Sequence, residues 1–117
     1  MKLTPNHLEK IVSGLRLACR TGATDGLNCW ILITPFKIDL ETGMSTLNAP
    51  GESWQFRVRH FGVDAKFDYD NYDLDPEYVT NFLNKVVDSV EQIELLISPI
   101  VDNADSLVEP RECGCPM

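Results

Sequence analysis

An α+β fold is the class this chain predicts: a mainly antiparallel sheet of three to four strands, two amphipathic helices at about 5–20 and 76–97 packed on one face, and an irregular C-terminal tail. Three observations predict it. Two segments open with a capping residue followed by proline and then carry apolar residues at helical spacing. Between them, several runs alternate apolar and polar residues with the period of two that a half-buried strand requires. After Ser98-Pro99 two further prolines and scattered acids interrupt every period.

Taken in order, Thr4-Pro5 reads as an N-cap with proline in the first helical turn, and Leu8, Ile11, Val12, Leu15, Ala18 and Cys19 recur at helical spacing up to Thr21-Gly22. Leu27 to Thr34 is apolar on both alternating faces from Cys29 to Ile33, the mark of a central strand covered on each side. Pro35 bulges or ends it. Phe36, Ile38 and Leu40 then alternate with Lys37, Asp39 and Glu41 up to a turn at Glu41-Thr42-Gly43, and residues 44–53 read as a loop. The double-sided apolar run needs cover on its second face, which either the tail or a second copy of the chain would supply.

Trp54, Phe56, Val58 and His60 alternate with Gln55, Arg57, Arg59 and Phe61; Ala65, Phe67 and Tyr69 alternate with Lys66, Asp68 and Asp70. A type II′ turn at Gly62-Val63 would pair these runs as a hairpin, stacking Val58 on Phe67 and Phe56 on Tyr69 and setting Arg57 opposite Asp68. Asp75-Pro76-Glu77 repeats the cap signature, and Val79, Phe82, Leu83, Val86, Val87, Val90 and Ile93 form the stripe of the second helix, which stops near Ile97.

A chain of 117 residues is expected to form a single domain over 1–117, with 98–117 as its tail. Eighteen acids against ten lysines and arginines give a net charge of −8. A field of that sign disfavours direct binding to nucleic acid or anionic lipid. The N-terminal residues lack the apolar core of a signal peptide and no window reaches the length of a membrane span, so a cytoplasmic location is expected. The four cysteines match no secreted disulfide scaffold and are expected to be reduced thiols, with Cys19 and Cys29 in the core.

No catalytic motif, nucleotide fingerprint or complete metal-ligand set stands in the sequence, and no cofactor is expected. The densest chemical feature is Asp64 to Glu77, where Asp64, Asp68, Asp70, Asp73, Asp75 and Glu77 surround Lys66, Tyr69 and Tyr72. As a calcium loop starting at Asp68 it fails, because Asp73 falls where the turn glycine belongs and Val79 where the bidentate glutamate belongs. Either it is a solvated strand end and helix cap, or it is a recognition surface with Tyr72 as its aromatic anchor. Phe67-Asp68-Tyr69-Asp70 resembles segments of some bacterial immunity proteins, although four residues do not define a family.

On this surface rests the expectation of a small acidic binding protein, an immunity protein, antitoxin or phage-type inhibitor, that occludes a basic protein partner. Two alternatives use other residues. His60, Trp54 and the cysteines would line a small-ligand or enzymatic pocket on the concave side of the sheet. Cys113-Gly-Cys115 offers two soft ligands or a modifiable tail, and two thiolates do not complete a metal site. Neither His7 nor His60 has a neighbour in sequence that would make it a catalytic base.

Overall fold

The computed structural model describes residues 2–38, 45–46, 54–68 and 75–116. Helix α1 (Pro5–Val12) is followed by strands β1 (Leu17–Thr24), β2 (Leu27–Ile38), β3 (Ser45–Thr46), β4 (Trp54–Asp64) and β5 (Val79–Val87), and then by helix α2 (Val90–Ile97). Every pairing is antiparallel, in the order β1-β2-β4-β5, with the short β3 attached to the end of β2. The class is therefore α+β, with β2 and β4 at the centre.

Helix α1 begins as the sequence predicts. Thr4 caps it, accepting from the His7 amide, and Pro5 occupies the first turn. It stops at Val12 rather than near residue 20. Gly14 takes a φ of 88°, its amide bonds to the Ile11 carbonyl, and the Leu15 amide reaches the Lys10 carbonyl. These are the two bonds of a Schellman motif, which only a residue at ease with positive φ permits. Leu17 and Cys19 then face the larger core as alternate residues of β1. The Asp25-Gly26 pair, both at positive φ, turns β1 tightly into β2 with Thr24 opposite Leu27.

Strand β2 is buried on both faces from Cys29 to Ile33, as its composition requires. It runs through Pro35 without a register change against β4. Pro35 lies beyond the last β1 pairing, Leu17 to Ile33, and before the β3 pairing at Lys37, where a missing amide donor is tolerated. The expected turn at residues 41–43, Leu40, Tyr69 and most of the 44–53 loop lie outside the described residues.

Two expectations are overturned in the second half. Gly62-Val63 is not a turn: β4 continues to Asp64, with Gly62 opposite Cys29 on one side and Thr80 on the other. Val58 therefore pairs with Ile33 and Lys85, not Phe67, and the Arg57 guanidinium donates to Asn84 Oδ1 at 2.8 Å. Residues 76–97 do not form one helix. A single 3-10 turn, Pro76–Tyr78, leads directly into β5, and α2 begins only after Ser89, whose hydroxyl accepts from the Gln92 amide. The free edge of β4 outcompetes helix propensity, because β-branched and aromatic residues at 79, 80, 82, 86 and 87 fit a sheet surface well.

Two cores follow. The larger joins Ile11 of α1 and Ile93 and Ile97 of α2 to Leu17, Cys19, Ile31, Ile33, Phe56, Val58 and Val87, with Val101 and Leu107 from the tail. The smaller gathers Ala18, Trp30, Leu32, Phe61 and Val63, against which Phe67, Val79, Cys113 and Cys115 pack. Trp30 stacks on Phe61 at 6.0 Å, and its indole N–H donates to the Cys113 carbonyl at 3.0 Å. The tail thus supplies the cover for β2. It is less irregular than its composition implies, with 3-10 turns at Ala104–Ser106 and Pro110–Cys113 and a bridge from Val108 to Ala18. Buried His7 ties the termini together: its Nδ1 accepts from the Thr4 amide at 3.2 Å, which leaves Nε2–H to donate to the Leu107 carbonyl at 2.9 Å.

Candidate functional site

The acidic stretch leaves β4 at Asp64 and returns to the sheet at Val79, and Val63 pairs with Val79. Its two stems are therefore neighbours. Asp64 closes the first by accepting from the Lys66 amide at 2.9 Å, and Asp75 caps the second by accepting from the Glu77 amide at 3.0 Å. Phe67 and Tyr78 stack across the stems at 4.6 Å, with Phe67 turned towards the smaller core and the Tyr78 ring 40% exposed. Asp68, Asp75 and Glu77 are exposed around this ring pair, while Asp64 is half-buried.

Four of the residues expected to bind a partner, Asp64, Asp68, Asp75 and Glu77, are thus brought to one end of the sheet. Asp70, Tyr72 and Asp73 lie outside the described residues. Capping accounts for one oxygen each of Asp64 and Asp75. Tyr78, placed by periodicity inside a helix, is the aromatic group that sequence reasoning missed; its position beside the Asp75 cap was the available signal.

A second site lies among the strands. Thr21, Cys29, His60, Phe82 and Ile100 line a cavity of about 210 Å³. His60 Nε2 and Thr21 Oγ1 are 3.3 Å apart, and the Phe82 ring lies 5.0 Å from the imidazole at a tilt of 46°. Burial holds the His60 pKa below its ordinary value, so the ring is neutral at pH 7. Trp54, expected here, instead packs against the larger core.

The cysteines form no disulfide, and Cys19 and Cys29 are buried. Burial pushes the Cys19 thiol above its ordinary range, with the nearby Cys113 adding to the effect. Burial also raises Cys113, against opposing backbone hydrogen bonds. Thiols held protonated are poor nucleophiles and poor metal ligands. Among the described residues no three His, Cys, Asp or Glu side chains group to hold a metal ion, and no helix is long and apolar enough to cross a membrane. No protein-family model matches the sequence, and comparison with curated proteins and with solved structures likewise finds no match.

Proposed function

We propose that this chain is a small acidic binding protein, a stoichiometric inhibitor of the immunity-protein, antitoxin or phage-inhibitor kind, that occludes a basic protein partner through the Asp64–Glu77 surface. The observation that carries the reading is the half-exposed Tyr78 ring, braced on Phe67 and flanked by the exposed carboxylates of Asp68, Asp75 and Glu77. A rigid aromatic ring in a charged surround is the composition of an interface hot spot, since it buries large area at small entropic cost. The stems are fixed by two side-chain caps and one ring stack, so the backbone that carries Asp68, Asp75 and Glu77 needs little further ordering on association.

The net charge of −8 adds a long-range component. It steers a cationic surface towards the chain and raises the association rate, with an effect that falls as salt rises. A partner whose own work is to hold phosphate must carry such a surface. In this arrangement Ile11 of α1 and Ile93 and Ile97 of α2 share a core with Ile31 and Ile33, and the tail packs beside Trp30, so binding at the end of the sheet calls for no second copy of the chain. Neither direct nucleic-acid binding nor a membrane has a part in it.

The test is capture of partners from host lysate by tagged wild type beside an Asp68→Asn, Asp75→Asn, Glu77→Gln, Tyr78→Ala variant. Asparagine at 75 retains the cap, so the fold survives the change. A basic protein retained by wild type, released by salt and absent from the variant supports the reading. The same proteins held equally by both would remove this surface from consideration.

A further inference from the structure

Thr21 and Phe82 share an uncommon property: each is the extra residue of a β-bulge. On β1 the register passes from Arg20 opposite Trp30 to Gly22 opposite Cys29, leaving Thr21 with no partner position. On β5 it passes from Leu83 opposite His60 to Asn81 opposite Phe61, leaving Phe82 likewise unpaired. Bulges re-aim side chains and cluster beside binding sites. Here two independent bulges, on the two strands flanking the central pair, aim their extra residues into the same cavity. Its remaining wall comes from Cys29 on β2, His60 on β4 and Ile100 just beyond α2.

We propose that this cavity is a binding site for a small, neutral, single-ring aromatic molecule carrying one hydroxyl group. Size sets the first limit. A 150 Å³ apolar cavity admits benzene, whereas pockets for drug-sized ligands begin near 300 Å³, so about 210 Å³ suits one substituted ring. The lining sets the second. Phe82, 48% exposed at the rim, and Ile100 offer apolar surface, and the Phe82 and His60 rings, 5.0 Å apart, present aromatic edges and faces for a third ring.

Polarity sets the third limit. No lining residue among those described carries a formal charge at neutral pH, which leaves a charged ligand without a counter-ion. The Thr21 hydroxyl both donates and accepts, and an uncharged imidazole does the same through its two nitrogens. These two groups already hydrogen-bond to each other at 3.3 Å, and the Thr21 oxygen, which can both donate and accept, has capacity left for one ligand hydroxyl to join the pair. The exposed rim position of Phe82 also accounts for a large apolar side chain facing solvent on an edge strand.

The experiment is fluorine NMR of 4-fluorophenol titrated with the full chain. Saturable broadening and a saturating shift of the His60 ring proton are expected. Fluorobenzene, lacking the hydroxyl, binds about three- to ten-fold more weakly, the worth of one hydrogen bond. Thr21→Val weakens 4-fluorophenol by a similar factor and leaves fluorobenzene unchanged. Phe82→Ser, at a half-exposed position that the fold tolerates, weakens both, whereas Leu95→Ser on exposed α2 surface weakens neither. Unsaturable binding, or equal binding by wild type and Phe82→Ser, overturns the site. Equal affinity for 4-fluorophenol and fluorobenzene overturns the hydroxyl specificity.

Discussion

Replacing Gly62 by alanine probes the sheet at a crowded point. Gly62 sits in mid-strand between Cys29 and Thr80. A Cβ built there would lie 3.0 Å from Leu27 Cβ, 3.1 Å from Leu27 Cδ1 and 3.2 Å from Cys29 Sγ. Leu27 Cβ is fixed by the β2 backbone and cannot rotate away, so the strands themselves must part. Overpacking of this kind costs about 1–3 kcal/mol. Alanine recovers about 0.4–1 kcal/mol by restricting the unfolded chain, leaving a net loss of about 1–2 kcal/mol. Urea denaturation followed by tryptophan emission measures it, because Trp30 stacks on Phe61, the residue before Gly62.

Gly62→Asn sharpens the test. A type II′ turn would accept asparagine at positive φ, whereas a buried mid-strand position meets a longer, polar side chain and loses more than with alanine. Combining Gly62→Ala with Cys29→Ala removes one of the three contacts and should show a coupling of about 0.5 kcal/mol or more. If asparagine proves as stable as alanine, or alanine matches wild type, the continuous β4 is refuted.

The remaining predictions concern the termini, the cysteines and the half-buried His60 imidazole. His7→Ala strands the Leu107 carbonyl and loosens the first turn of α1, costing about 1–3 kcal/mol by chemical denaturation. Trp30→Phe keeps the stack on Phe61 but removes the donor to Cys113, so it lowers stability by about 0.5–1.5 kcal/mol and increases amide exchange at 110–115. Iodoacetamide at pH 8 should modify Cys19 and Cys113 at least about ten-fold more slowly than a solvent-exposed cysteine, as mass spectrometry of timed samples would reveal. His60 is held below 6.5, so the unfolded chain takes up its proton first as pH falls. The stability it contributes is complete above about pH 6.5 and declines as pH falls through its lower folded value; His60→Gln should flatten that decline in urea midpoints between pH 7.5 and 5.

Much of the fold was legible where one period held without interruption. The Thr4-Pro5 cap, the doubly buried β2 and the alternation of β4 up to His60 all follow from local patterns. The misreadings have physical causes. Leu15, Ala18 and Cys19 fit a helical period by coincidence, while Ser13-Gly14 had already ended α1 and Asp25-Gly26, a strong hairpin signal, marked the turn after β1. In β5 the bulge at Phe82 shifts the alternation by one residue, so the apolar pairs at 82–83 and 86–87 imitate a helical stripe. Phe82 and Val86 are nonetheless largely exposed, which a buried helix stripe would not be.

The same bulges explain what was legible of the sites. His60 stood on an apolar alternation and was identifiable as a cavity candidate, but Thr21 and Phe82 join it only through register shifts that carry no composition signal of their own. Asp75 was legible as a cap, although it caps a 3-10 turn and not a helix, whereas Asp64 was read as opening a second strand and instead ends β4. Tyr78 required the β5 correction, because a helix beginning at Pro76 would have turned it away from Phe67.

Hydrogen–deuterium exchange on the chain, alone and with the basic partner proposed above once captured, tests the central claim most directly. The account predicts slower exchange at 64–68 and 75–79 in the complex, with α1 and the 104–108 segment unchanged and the footprint weakening as salt is raised. Protection confined to α1, α2 or the tail, with the two acidic stems exchanging as in the free protein, would contradict it.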